Sequence, residues 1–142
     1  RGERHLPETH LIPNVLAVAA GEREQVAIFG TDYPTRDGTA VRDYLHVEDL
    51  GRAHLLALEK ATPGEHLICN LGTGTGYTVR EVLEACRAVT GHDIPAAEQA
   101  RRPGDPPTLV ASAQRARERL GWQTEHDLHR IVSDAWAFMS SA

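Results

Sequence analysis

The chain has 142 residues, 41% of them apolar and 25% charged, with a formal net charge of -5 at pH 7. That is enough for one domain, residues 1–142, with a core of its own. Its basic residues are scattered apart from the pair Arg101 and Arg102, so no cationic stripe follows a nucleic acid backbone. No apolar run approaches the ~18 residues that span a bilayer, and the first residues lack the apolar stretch of a signal peptide. Nucleic acid and membrane are therefore not expected partners. The opening residues lack an initiator methionine and read as mid-loop sequence, so a piece of a longer protein is expected.

Along the chain helical and extended patterns alternate. Thr9 is expected to cap a first helix running to Ala20 and ending at Gly21, with Pro13 tolerated because early helical amides have no intrahelical partner. Leu11, Ile12, Val15, Leu16 and Val18 make that helix apolar on several sides. Residues 47–60 repeat the pattern through Leu50, Ala53, Leu55, Leu56, Ala57 and Leu58, and both helices ask for more cover than a small domain supplies. Residues 78–90 are one-sided, with Val79, Val82, Leu83, Cys86 and Val89 on the helical period. Thr78 and Glu81 form a capping box there, and Gly91 ends the helix. A short helix is expected from a Ser112 cap to Leu120 before Gly121, and a last one over 127–140 with Leu128, Ile131, Val132, Ala135, Trp136 and Met139 on a core face. Short strands are expected at 26–29, 45–47, 66–71 and 94–99. Two cysteines occur, Cys69 in an expected strand and Cys86 on a helix face. They match no metal or redox motif and read as reduced thiols of a cytosolic protein.

Residues 27–50 carry the most information. Asp37-Gly38 is a turn dipeptide of the kind that closes a hairpin. In an extended 41–47, Arg42, Tyr44 and His46 project one way and Val41, Leu45 and Val47 the other, with Asp43 the exception on the core face. An arginine on such a face offers a planar fork of donors to phosphate oxygens, and a nearby tyrosine adds a hydroxyl. The same residues also fit a solvated strand face with a salt bridge from Arg42 to an acidic neighbour, and spacing alone does not separate the two.

The glycine-rich run 71–76 sits where a dinucleotide loop would, between an expected strand and a helix. Tyr77 stands where a glycine is required, and no acidic residue closes a second strand about 20 residues later. A tight turn feeding the Thr78 capping box is the stronger reading. No nucleophile elbow, zinc-protease motif or convincing metal cluster occurs, and the eight histidines are dispersed. Lys60 is the only lysine, and no tyrosine lies four residues before it, so a Tyr-x-x-x-Lys acid/base pair is absent.

Five stretches together, at 7–14, 27–50, 70–72, 101–105 and 120–122, resemble the C-terminal half of the UDP-glucose 4-epimerases, NAD-dependent members of the extended short-chain dehydrogenases/reductases. The resemblance implies a small mixed α/β substrate-binding domain whose Rossmann half, with the NAD loop and the Ser/Thr, Tyr and Lys catalytic group, is missing. It implies NAD in the full-length enzyme and none held by this piece, UDP-glucose or UDP-galactose as substrate, a cytoplasmic homodimer of the full protein, and no catalytic residue here. Carried over by position, His10 and Leu11 lie at the diphosphate region, although His10 replaces an asparagine of some members. Ala27 and Phe29 read the uracil edge through main-chain groups. Arg42 and Arg102 clasp the diphosphate beside Tyr44, Asp105 holds the ribose, and Val79 touches the nucleoside. Leu109 occupies a position that is bulky in hexose-restricted members and small in those accepting N-acetylated sugars. The rivals are another nucleotide-sugar enzyme on this scaffold, such as a dehydratase or decarboxylase, and a non-catalytic nucleotide-sugar-binding module.

Overall fold

The computed structural model describes residues 8–141, so the reading of the first residues, Pro7 of the 7–14 stretch included, lies outside the described residues. Five helices and five strands follow one another: α1 (Leu11–Ala19), β1 (Val26–Phe29), β2 (Val41–Arg42), α2 (Val47–Glu59), β3 (Tyr77–Thr78), α3 (Val79–Thr90), β4 (Ala96–Gln99), β5 (Thr108–Leu109), α4 (Gln114–Leu120) and α5 (Leu128–Ser140). The architecture is mixed α/β. β1 pairs in parallel with β4, and β2 lies between antiparallel β3 and parallel β5.

The helical pattern of residues 78–90 resolves as written. The Thr78 hydroxyl accepts from the Glu81 backbone N–H at 3.1 Å, and the Glu81 carboxylate accepts from the Thr78 N–H at 2.8 Å. Gly91 takes the left-handed conformation, φ 69°, at the C-cap, which a side chain would strain. The apolar face of α3 packs with α1, β1 and α5 into one core. Val15, Leu16, Val82, Cys86, Ile94 and Val132 are its most completely buried members. Each large apolar side chain so buried contributes roughly 1.5–3 kcal/mol. Burial also pushes the Cys86 thiol up to about 12, so it remains an inert apolar filler. A second cluster joins Ala53 of α2 to Ala116, Leu120 and Trp122. The Trp122 indole N–H donates to the Asp49 carbonyl at 2.8 Å.

Several local expectations are corrected. His10, not Thr9, is the N-cap of α1, and it makes no side-chain cap bond; Glu8 accepts from the His10 N–H instead. Ala113, not Ser112, precedes α4, again without a side-chain cap. No strand forms at 45–47, because His46 Nδ1 accepts from the Glu48 N–H at 3.0 Å and starts α2 at Val47. His46 is accordingly buried and Val47 is 73% exposed, the reverse of simple alternation. Asp37-Gly38 turns the chain, with Gly38 at φ 82°, but closes no hairpin, since β1 and β2 do not pair. The Asp37 carboxylate caps Thr39 and meets the Thr78 hydroxyl instead.

Two corrections concern partners. The ladder expected at 94–99 begins at Ala96, with Ile94 spent in the core. Residues 66–71 form no strand, although Leu67, Cys69 and Leu71 pack inward while His66, Ile68 and Asn70 are exposed. That is the burial rhythm of a strand without a neighbour among the described residues. Of the two helices expected to need cover, α1 receives it from α3 and α5, whereas α2 leaves Leu55 and Leu58 bare.

Candidate functional site

Alternation along β1 makes one wall of a groove. Val26 and Ile28 enter the core, which turns Ala27 and Phe29 to the other face. The N-terminal end of α1 brings His10 and Leu11 to the same space, β2 and the residues after it bring Arg42 and Tyr44, the first residue of α3 brings Val79, and the 101–105 loop brings Arg102 and Asp105. The groove they line measures about 1000 Å³. Nine residues named from the sequence thus meet in one place.

Charge inside the groove is unevenly compensated. An Arg42 guanidinium nitrogen is bonded to the Asp105 carboxylate, and another donates to the Val41 carbonyl at 2.6 Å. The salt bridge that the sequence left open therefore exists, yet it lies within the groove and uses only part of a five-donor fork. The Arg102 guanidinium carbon stands 3.9 Å over the centre of the Phe29 ring and has no carboxylate partner among the described residues. A cation held on an aromatic face keeps its N–H edges free for anionic oxygens. Burial pushes the Tyr44 hydroxyl up to about 12 against the opposing charge of Arg42, so it is a neutral donor at physiological pH.

Leu109 is the tenth named residue, and it does not line the groove. It pairs with Arg42 in the β2–β5 register and is 61% exposed. Asn14, Arg23 and Gln25 also line the groove and were not named. Asn14 follows His10 by one helical turn, so the helical period could have found it. Arg23 and Gln25 precede β1, and only the fold shows that this loop borders the groove.

The glycine-rich run is a brace. Asp43, the odd residue of the core face, accepts from the Thr73 N–H at 2.8 Å, the Thr73 hydroxyl at 2.6 Å and the Ala111 N–H at 3.1 Å. A Cβ on Gly72 would stand 2.4 Å from the Asp43 carboxylate. The loop backbone is stapled to that side chain, and it does not fit as a cradle for a dinucleotide pyrophosphate. The one grouping that offers metal-type donor atoms among the described residues is His46, Glu48 and His126, away from the groove lining. No helix of the described residues is long and apolar enough to cross a membrane.

Comparison with known proteins accords with the fold. The family model described as GDP-mannose 4,6 dehydratase matches residues 1–135. A UDP-glucose 4-epimerase of Corynebacterium glutamicum is 59% identical over 141 residues, covering 99% of this chain and 43% of the relative. A crystal structure of UDP-glucose 4-epimerase superposes with a TM-score of 0.93 at 50% identity, over 99% of this chain and 43% of that one. The Bifidobacterium longum UDP-glucose 4-epimerase, solved in complex with NAD+ and UDP, gives a TM-score of 0.88 at 39% identity, over 93% and 39% of the two chains. The chain thus spans less than half the length of the relatives it matches.

Proposed function

Because the chain belongs to the GDP-mannose 4,6 dehydratase family, we propose that it is the UDP-sugar-binding C-terminal half of a UDP-glucose 4-epimerase. The whole enzyme interconverts UDP-glucose and UDP-galactose at C4 in the cytoplasm and works as a homodimer. The observation that carries this reading is the groove, where nine residues implied by the resemblance converge from five parts of the chain.

In this reading each residue has a physical task. Ala27 and Phe29 present β1 main-chain groups to the uracil edge, and Val79 packs on the nucleoside. Asp105 takes the ribose hydroxyls. Arg42 and Arg102 clasp the diphosphate, with His10, Leu11 and Tyr44 beside them. Binding energy spent on the unreacting nucleotide holds the sugar at the site of chemistry while leaving the hexose free to turn. In this reading NAD and the acid/base group belong to a preceding half, in keeping with the braced glycine-rich run and the missing Tyr-x-x-x-Lys spacing, and the piece alone is inactive. Two features support an attached half: the unpaired 66–71 segment, which can accept a neighbouring strand, and the bare apolar face of α2.

Calorimetric titration of UDP and UDP-galactose into the chain, with NAD in parallel, tests this. Saturable UDP binding without NAD binding is expected; absence of UDP binding overturns the reading for the isolated half. The family description favours one alternative, a GDP-sugar dehydratase half, and tighter binding of GDP than UDP would select it. Leu109 lies just outside the groove lining on the strand beside Arg42 and is intermediate in size, so if the hexose extends from the diphosphate to reach it, the full-length enzyme is expected to turn over UDP-N-acetylglucosamine more slowly than UDP-galactose. Complete exclusion or equal rates would remove Leu109 from sugar choice.

A further inference from the structure

The loop after α4 meets the first turn of α2 at a cluster outside the groove. His126 Nε2 lies 3.2 Å from the Glu48 carboxylate, and its Nδ1 lies 3.2 Å from the Asp49 carboxylate. A neutral imidazole carries a single N–H. Either tautomer therefore sets one bare ring nitrogen against a carboxylate oxygen, and buried Nδ1 makes no hydrogen bond of good geometry. One extra positive charge between ring and carboxylate removes the conflict.

The surroundings favour a cation at Nε2. Asp49, wholly buried and held by Arg52 and by the backbone N–H groups of Glu125 and His126, is the natural acceptor for an Nδ1–H. A carboxylate on the far nitrogen of a histidine fixes its tautomer and raises its basicity toward a metal. Glu48 is 63% exposed on its side chain, so the approach from solvent is open. The His46 ring stacks on His126 with centroids 4.3 Å apart, and ligand atoms of His46, Glu48 and His126 lie within 4.8 Å of one another. For His46 to bind, it must exchange its contact with Asp134, or its cap bond from the Glu48 N–H, for a metal bond. Glu48, Asp49, Glu125 and Asp134 outnumber Arg52 and Arg130 here, which offsets the positive end of α2.

We propose that His126 and Glu48, with His46 beside them, bind a divalent first-row cation of the zinc type and so tie the 121–127 loop to the start of α2. Imidazole nitrogens with one carboxylate suit Zn²⁺, Co²⁺ or Ni²⁺, and poorly suit Mg²⁺, which prefers oxygen. The test titrates Zn²⁺ and Co²⁺ into the metal-stripped whole chain, with Mg²⁺ as control, and repeats this for His126→Gln and Glu48→Gln. Saturable one-to-one Zn²⁺ binding, a visible Co²⁺ spectrum showing nitrogen ligation, a raised unfolding temperature with Zn²⁺ and at least tenfold weaker binding in each variant are expected. No saturable Zn²⁺ binding overturns the site. Unchanged binding in both variants overturns it too, since the metal then sits on other histidines. Glu48→Gln alters only an exposed side chain and keeps the test decisive if His126→Gln does not fold.

Discussion

α1 and α2 are written in the same apolar language and end in opposite surroundings. α1 buries Ile12, Val15, Leu16, Ala17 and Val18 against α3, α5 and β1, whereas α2 buries only Asp49 and Ala53 and leaves Val47, Leu55 and Leu58 more than half exposed. A space of about 430 Å³ lies between α2, α4 and the 60–71 segment, lined by Ala53, Ala57, Leu67, Cys69 and Leu71. The all-round apolar pattern states a demand for cover, and the fold decides whether this chain meets it. The groove belongs to the side that is closed, so ligand binding and the bare flank are separable.

The comparison breaks most easily in the closed core. Leu16→Ala is expected to lower stability by roughly 2–5 kcal/mol in urea unfolding, because the side chain is fully buried and packed surroundings relax only partly into the space left. A loss no larger than that of a surface substitution would show that α1 is not the anchor of this side. In the groove, Arg42→Ala is expected to weaken UDP binding by about 2–5 kcal/mol, because it removes charge-assisted bonds and leaves Asp105 without its partner. Leu55→Ser on the other side should leave UDP affinity unchanged. Equal affinity in the arginine variant would take Arg42 out of the clasp.

How far the sequence could be read follows the same division. α3 was fully legible because its period, its Thr78–Glu81 box and Gly91 all lie within a stretch whose hydrogen bonds close locally. The caps at Thr9 and Ser112 were misplaced because a suitable side chain does not ensure the geometry, and His10 and Ala113 hold those positions instead. Strands fared worst where their partner is remote. β1 was found, but β2 lies at Val41–Arg42 because β3 and β5 meet it there, which no local pattern records. The groove residues were legible through resemblance, and β1 alternation explains physically why Ala27 and Phe29 point together. Leu109 shares the sheet face of Arg42 but stands one strand further out, 61% exposed and beyond the residues that line the groove.

On the open flank the polar anchor is Asp49. Burial works to raise its carboxyl, but the His126 N–H, Arg52 and the Glu125 N–H outweigh that and hold it below its usual range. A depressed folded-state value contributes stability that is complete above the unfolded value, about 3.9, and is lost as pH falls through the folded one. Acid unfolding monitored by tryptophan fluorescence should therefore steepen below about pH 4. Asp49→Asn is expected to cost about 1–3 kcal/mol at neutral pH and to flatten that acid limb. An unaltered limb would assign the acid sensitivity to other carboxylates, such as Glu81, which Arg36 holds low on the closed side.

The smallest effect is the most telling for the flank. Leu58 is 77% exposed, and its replacement by alanine removes almost no burial in this chain. Leu58→Ala should change stability by less than about 0.5 kcal/mol. In a full-length protein whose preceding half covers α2, the same substitution deletes a buried side chain and should cost several times more, about 2–5 kcal/mol if burial is complete. The difference between the two measurements reports directly whether α2 is a covered face in the longer protein. Equal small losses in both would mean that the apolar surface stays in water in the longer protein as well.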